Sequence, residues 1–273
     1  MTAAAGSWRV LTWNIHGAAL PDPHLLADEI GRMSPDAVAL QEVRRGQARA
    51  IAGALGWHHA WVFKHNRWTV LLWWRAEGLA LLSRWPLSDV ERTSISSGAH
   101  RRSFRRRVMI AATVIRRAAT HPSGAARAVG PEEQLRLYGT HLATDGTDHR
   151  IAQARLIADR IAVDVDKTDV SANGETDGGP SLDGTVAGRT NRPIVVAGDL
   201  NAANEVEVIR EFHAVGIVDP GGDDTSPALA PYQRIDYVLV PETAQIYERF
   251  TPPSDRHWQL LSDHLPTLVE FAV

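Results

Sequence analysis

The chain has 273 residues, enough to bury a core without covalent staples, and it has no cysteine, which excludes disulfides, thiolate-bound zinc and a cysteine nucleophile. Its formal net charge of -3 is unevenly spread: residues 164–192 hold six acidic and three basic side chains, so the remainder is neutral overall. No apolar run approaches the ~20 residues of a membrane helix, and MTAAAGSWRVLTWN at the start lacks a basic-then-apolar leader pattern, so a soluble, cytoplasmic protein is expected.

In chain order, the first strand-like run is WRVLTWNI (8–15), followed by helical periodicity over 23–33. DAVALQEV (36–43) comes next, then a second helical stretch over 46–55. Strand-length apolar runs recur at TVLLWW (69–74), GLALLS (78–83), VMIAATVI (108–115) and LRLYGTHL (135–142). The clearest helix is DHRIAQARLIADRIAV (148–163), where Ile151, Ala154, Ile157, Ala158 and Ile161 form one apolar stripe and Asp148 is placed to cap it. PIVVAGDL (193–200), RIDYVLV (234–240) and PTLVEFAV (266–273) complete the strands. This succession predicts a mixed α/β sandwich, two sheets face to face with helices outside, in one domain over 1–273. Residues 117–133 and 164–192 are expected to be mobile surface loops, since they hold too few large apolar side chains to offset the entropy of ordering.

The notable polar residues sit at the ends of apolar runs. Asn14 ends VLTWN, Glu42 ends VALQE, His141 ends LYGTH, and Asp236 lies in RIDYVLV. Asp199 and Asn201 end VVAGDLN two residues apart, a spacing that on a strand turns both heads to one side. Asp263 and His264 open the last strand. Asparagine and carboxylate oxygens suit a hard cation such as Mg²⁺ or Ca²⁺ rather than zinc. Histidines beside them suit proton transfer or stabilisation of a phosphoryl group. Singly, each has an ordinary explanation: a turn residue at Asn14, a solvated charge at Glu42, an Asx-turn at Asp199, a surface pair at Asp263–His264. It is the ordered set that points to chemistry.

The motifs TWNIHG (12–17), LQEVR (40–44), EGLALLSRWPL (77–87), GTHLAT (139–144), AGDLNA (197–202), RIDYVLV (234–240) and SDHLPTLVEF (262–271) come in the order of the endonuclease/exonuclease/phosphatase superfamily. The sequence resembles that deoxyribonuclease I-like family from end to end, apart from the two loop stretches. The resemblance implies a four-layer α/β sandwich that hydrolyses phosphoester bonds with Mg²⁺ or Mn²⁺. It implies Glu42 as the principal metal ligand, with Asn14 and Asp263 in support. Asp199 and Asn201 would position or activate water and hold the scissile phosphate, and His264 would be the catalytic histidine oriented by Asp236. His141 and Glu77 match a second histidine and its orienting glutamate in the deoxyribonuclease I-like and sphingomyelinase-like branches, which disfavours the apurinic-site endonucleases. Arg44 matches an arginine that meets phosphate.

Substrate is the less determined part. RRSFRRR (101–107), ending in Arg107, fits either a phosphate-lined groove or a solvated loop. Nine tryptophans offer stacking faces for bases or simply core. The expectation is a monomeric nuclease or phosphodiesterase acting on nucleic acid. A sphingomyelinase-like or inositol-phosphate hydrolase is the alternative, and a non-catalytic binding protein on the same fold the third reading.

Overall fold

Strand β1 (Trp8–Asn14) is buried along its whole length, with Trp8 and Val10 on one face and Leu11 and Trp13 on the other. A strand apolar on both faces needs cover on both, which places it in an inner layer. In the computed structural model residues 6–64, 76–96, 106–116, 132–173 and 192–273 are described. Among them, β1 joins β2 (Ala37–Arg44), β3 (His58–Phe63), β4 (Glu77–Ser83), β11 (Gln245–Phe250) and β12 (Thr267–Ala272) in one sheet of order β11-β12-β1-β2-β4-β3. The second sheet has order β5-β6-β7-β8-β10-β9, from β5 (Leu87–Ser94), β6 (Val108–Arg116), β7 (Glu133–His141), β8 (Ile194–Asp199), β9 (Ile217–Val218) and β10 (Asp236–Pro241). Each sheet is antiparallel except for one parallel pair, β1–β2 in the first and β7–β8 in the second.

Three apolar layers hold this together. Between the sheets lie Val10, Ala39, Leu79, Leu81, Ile110, Leu137, Val195 and Val238. Outside the first sheet, α1 (Pro23–Met33), α2 (Arg45–Leu55) and α5 (Arg256–Leu261) pack Leu26, Ile30, Ile51 and Trp258 against Leu11, Trp13 and Leu40. Outside the second, α3 (Thr147–Asn173) and α4 (Val206–His213) pack Ala154, Ile157, Ile161 and Phe212 against Met109, Tyr138 and Val196. This is the four-layer sandwich expected, and each such buried aliphatic side chain contributes roughly 1.5–3 kcal/mol.

Several expectations are corrected. The helix predicted over 148–163 begins at Thr147, so Asp148 lies in its first turn rather than capping it, and the helix runs on to Asn173. Residues 164–173 are therefore helical, not loop. Asp164 accepts hydrogen bonds from Tyr138 Oη (2.6 Å) and Arg136 Nε (2.9 Å), which fastens the helix to β7. Glu133, placed in the other loop, opens β7. Strands β3, β5, β9 and β11 and helices α4 and α5 were not predicted. β3, β5 and β11 lie at sheet edges and alternate between half-solvated positions, so they carry few apolar residues to betray them. The predicted strand 69–74, most of the arginine run (101–105) and stretches 117–131 and 174–191 lie outside the described residues.

Candidate functional site

The period of two along four strands explains how polar groups meet at one edge. Trp8 and Val10 share the inter-sheet face of β1 with Asn14; Leu135 and Leu137 share that of β7 with His141. Val195 and Ala197 lead to Asp199 on β8, and Val238 and Val240 share the face of Asp236 on β10. The register aligns them: His141 is opposite Asp199 in the parallel pair, and Asp236 is opposite Asp199 in the antiparallel one. All four inner stripes thus end in a polar residue at the carboxyl edge of the parallel strands, where α/β sheets open to ligands. Gly198 permits the approach of β8 to β7, because a Cβ there would meet the Thr140 carbonyl oxygen at 2.1 Å.

Glu42 reaches the same edge by a different device. It is the extra residue of a β-bulge, lying between Gln41, opposite Leu79, and Val43, opposite Gly78. Its φ of 53° is left-handed, a conformation that costs a non-glycine residue about 1–2 kcal/mol. The bulge lets Val43 return to the helix-side core while Glu42 turns toward the second sheet. Gly17 of NIHG covers the bulge, its Cα so close that a Cβ would lie 2.2 Å from the Glu42 carbonyl oxygen.

At one end of the site, His264 Nδ1 and Asp236 Oδ2 are 2.8 Å apart, as expected of an oriented pair, and Thr225 Oγ1 donates to the same oxygen at 2.6 Å. Burial alone would lower His264, but the Asp236 carboxylate outweighs it and pushes the imidazole up to about 10. The segment is pinned to β1: Ser262 Oγ donates to the Asn14 carbonyl (2.6 Å) and Trp13 Nε1 to that of His264 (2.9 Å). Trp13 in turn stacks edge-on with Trp258 at 5.7 Å.

Asp199 sits at the centre. Its Oδ2 accepts from Asn14 Nδ2 at 3.1 Å and its Oδ1 from the Asn201 amide at 2.9 Å. Burial, and then the neighbouring Asp236, hold its carboxyl well above the ordinary range. Asn201 takes a left-handed φ of 49° and donates Nδ2 to the Leu142 carbonyl at 3.2 Å. The sequence placed Asn201 beside Asp199 on one face; the structure makes it the closing residue of an Asx-type turn that also fixes Asp199.

The other end differs from expectation. His141 does not pair with Glu77: among the described residues no hydrogen bond or ion pair joins them, and Glu77 sits opposite Arg44 at the start of β4. Burial, and then Glu42, raise the Glu77 carboxyl. His141 Nδ1 instead faces Lys64 Nζ at 3.3 Å, with Glu42 Oε1 at 3.9 Å, and its Nε2 lies 3.6 Å from Asp199 Oδ2. Lys64 is 5% exposed, and burial, with Arg107 adding to it, lowers its ammonium to about 8 against the pull of Glu42, Glu77 and Asp199. Arg107 is also buried, and burial lowers it while Asp199 and Glu42 oppose that. The Nε atoms of Arg44 and Arg107 are enclosed without a hydrogen-bond partner among the described residues. Lys64 was missed because β3 was missed, although it too ends a strand. Thr225 had no local signal, while His16, whose Nδ1 lies 3.5 Å from Asp263 Oδ2, falls within the motif TWNIHG but was not singled out there.

Asp199, Asp236 and His264 have candidate ligand atoms within 4.8 Å of one another. Asp236 and His264 are already closed on each other, and a protonated imidazole has no lone pair for a cation. Glu42, whose nearest cationic partner among the described residues is Lys64 at 3.8 Å, and the half-exposed Asp263 are the more open oxygen donors.

No curated protein matches the chain. Among solved structures, an endonuclease/exonuclease/phosphatase from Bacteroides vulgatus superposes with a TM-score of 0.69 at 17% identity, covering 98% of this chain and 99% of that one. The human Nocturnin catalytic domain with bound sulfate gives 0.63 at 19% identity, with 100% and 95% covered. D. rerio TDP2 complexed with single strand DNA product gives 0.64 at 14%, with 98% and 99% covered. At these identities the likeness establishes the fold. Residues 11–170 match the model of the Endonuclease/Exonuclease/phosphatase family, and the chain belongs to that family of phosphoester hydrolases.

Proposed function

We propose that the chain is a divalent-metal-dependent phosphodiesterase acting on nucleic acid, built as one catalytic domain and working as a cytoplasmic monomer. The observation that carries this reading is the convergence at one sheet edge of Asp199, two imidazoles and open carboxylates, flanked by buried cations. Glu42, Asn14 and Asp263 would hold Mg²⁺ or Mn²⁺; the fit lies in their hard oxygen donors and in the mutual repulsion of Glu42 and Glu77, which a cation relieves. A cation held there would supply positive charge to neutralise what develops on the phosphate oxygens.

The rest falls to the chain's own residues. Asp199, its affinity for protons raised by burial, takes the proton of the attacking water, while the amide of Asn201 keeps the carboxylate turned. His264 has its Nδ1 committed to Asp236, so Nε2–H faces the phosphoryl group as a donor. His141 approaches from the opposite flank of Asp199, and Glu77 adds its carboxylate beside Glu42. Arg44 and Arg107 add positive charge beside Glu77, Asp199 and Glu42 that would draw the phosphates of the polymer to the site.

A metal-supplemented panel of plasmid DNA, single-stranded RNA, sphingomyelin, inositol phosphates and bis-p-nitrophenyl phosphate tests this. Cleavage of DNA or RNA that EDTA abolishes is expected. Turnover confined to the lipid or inositol substrates would overturn the nucleic-acid reading, and chelator-resistant turnover would overturn the metal.

A further inference from the structure

Lys64 follows the last residue of β3, held opposite β4 by its own amide, which donates to the Glu77 carbonyl at 3.2 Å. Its side chain is 6% exposed, and a lysine so enclosed is costly unless its N–H donors are used. One of them points at His141: Nζ is 3.3 Å from Nδ1. An ammonium group donates only, so the ring nitrogen it faces must be the acceptor. The proton of the neutral imidazole then sits on Nε2, the nitrogen beside Asp199 Oδ2 at 3.6 Å.

A carboxylate behind His141 would impose the reverse. Carboxylates accept only, so the ring would keep its proton on Nδ1 and leave Nε2 bare. Glu42 Oε1, at 3.9 Å from Nδ1, is outside hydrogen-bond distance and does not compete. We propose that Lys64 is the positioning residue of His141, fixing the tautomer in which Nε2 carries the proton, so that His141 meets the phosphoryl group as a hydrogen-bond donor and not as a base. This rests on reading the site as a phosphoester-hydrolase centre. It also gives the two histidines unlike supports, a carboxylate behind His264 and an ammonium behind His141.

The test is side-chain ¹⁵N NMR of the full chain at pH 7 with labelled histidine, the His141 signals assigned by their loss in His141→Ala. The wild type should show an unprotonated, hydrogen-bonded Nδ1 and a protonated Nε2. Lys64→Met should lose that signature and lower kcat about 10–100-fold, the usual effect of losing an orienting partner, with KM little changed. Lys64→Arg, which keeps an N–H donor, should retain the signature. A wild-type proton on Nδ1 overturns the proposal without any variant. So does a fall in activity of Lys64→Met with the His141 signature intact, since Lys64 would then act on substrate directly. A chain inactive on every phosphoester but showing the expected tautomer would refute the activity while leaving the role of Lys64 standing.

Discussion

Asp236→Asn removes one charge from a side chain with no exposed surface and leaves its shape intact. The wild-type carboxylate holds His264 at about 10 against burial, which pulls the other way. Without it the imidazole should drop toward its ordinary 6.5, so its protonated share at pH 7 falls from nearly all to roughly a quarter. The asparagine also holds the ring less firmly, for a further 10–100-fold or so. Together these lower kcat on a phosphodiester by roughly 10²-fold. Stability should respond with a definite sign. A histidine raised in the folded state binds its proton more tightly than in the unfolded chain, so its contribution is complete below about pH 6.5 and is lost as pH climbs to about 10. The slope is about 1.4 kcal/mol per pH unit across that window. The gap in unfolding free energy between wild type and Asp236→Asn should therefore be widest below pH 6.5 and close toward pH 10. Denaturant melts from pH 6 to 10, with an NMR titration of His264, measure it. A gap independent of pH, or a variant whose His264 still titrates near 10, would refute the reasoning.

His264→Ala and His141→Ala should each lower kcat by at least about 10², measured on a small diester, and near-normal turnover in either would remove that imidazole from the mechanism. His264→Ala should also cost about 3–5 kcal/mol in a urea melt, because it strands the buried Asp236 carboxylate. Glu42→Gln should raise the metal concentration for half-maximal activity at least about tenfold; unchanged metal binding by calorimetry would move the cation elsewhere. Asp164→Ala should destabilise by about 3–5 kcal/mol, since it leaves Arg136 without its most buried partner, while kcat stays near wild type.

The sequence alone determined where the candidate site residues lie along the chain. Polar residues ending apolar stripes of period two, at Asn14, His141 and Asp199, had to project from strand ends, and the order of motifs named the family before any contact was visible. The pairing of Asp236 with His264 was legible only through the family resemblance, which implied it and which the 2.8 Å contact matches. The partners of His141 were not. Whether Glu77 or Lys64 stands behind it depends on which edge strand packs beside β4 and on a one-residue bulge at Glu42, and neither leaves a periodic trace. Asp164 shows the converse: acidic and followed by small polar residues, it read as the start of a loop, yet it lies within α3 and Arg136 and Tyr138 on β7 supply its partners. Local patterning records which face a residue occupies. Only the docking of two sheets, bringing together groups as far apart in the chain as Lys64 and His141, decided which charge faces which ring and hence which nitrogen keeps the proton.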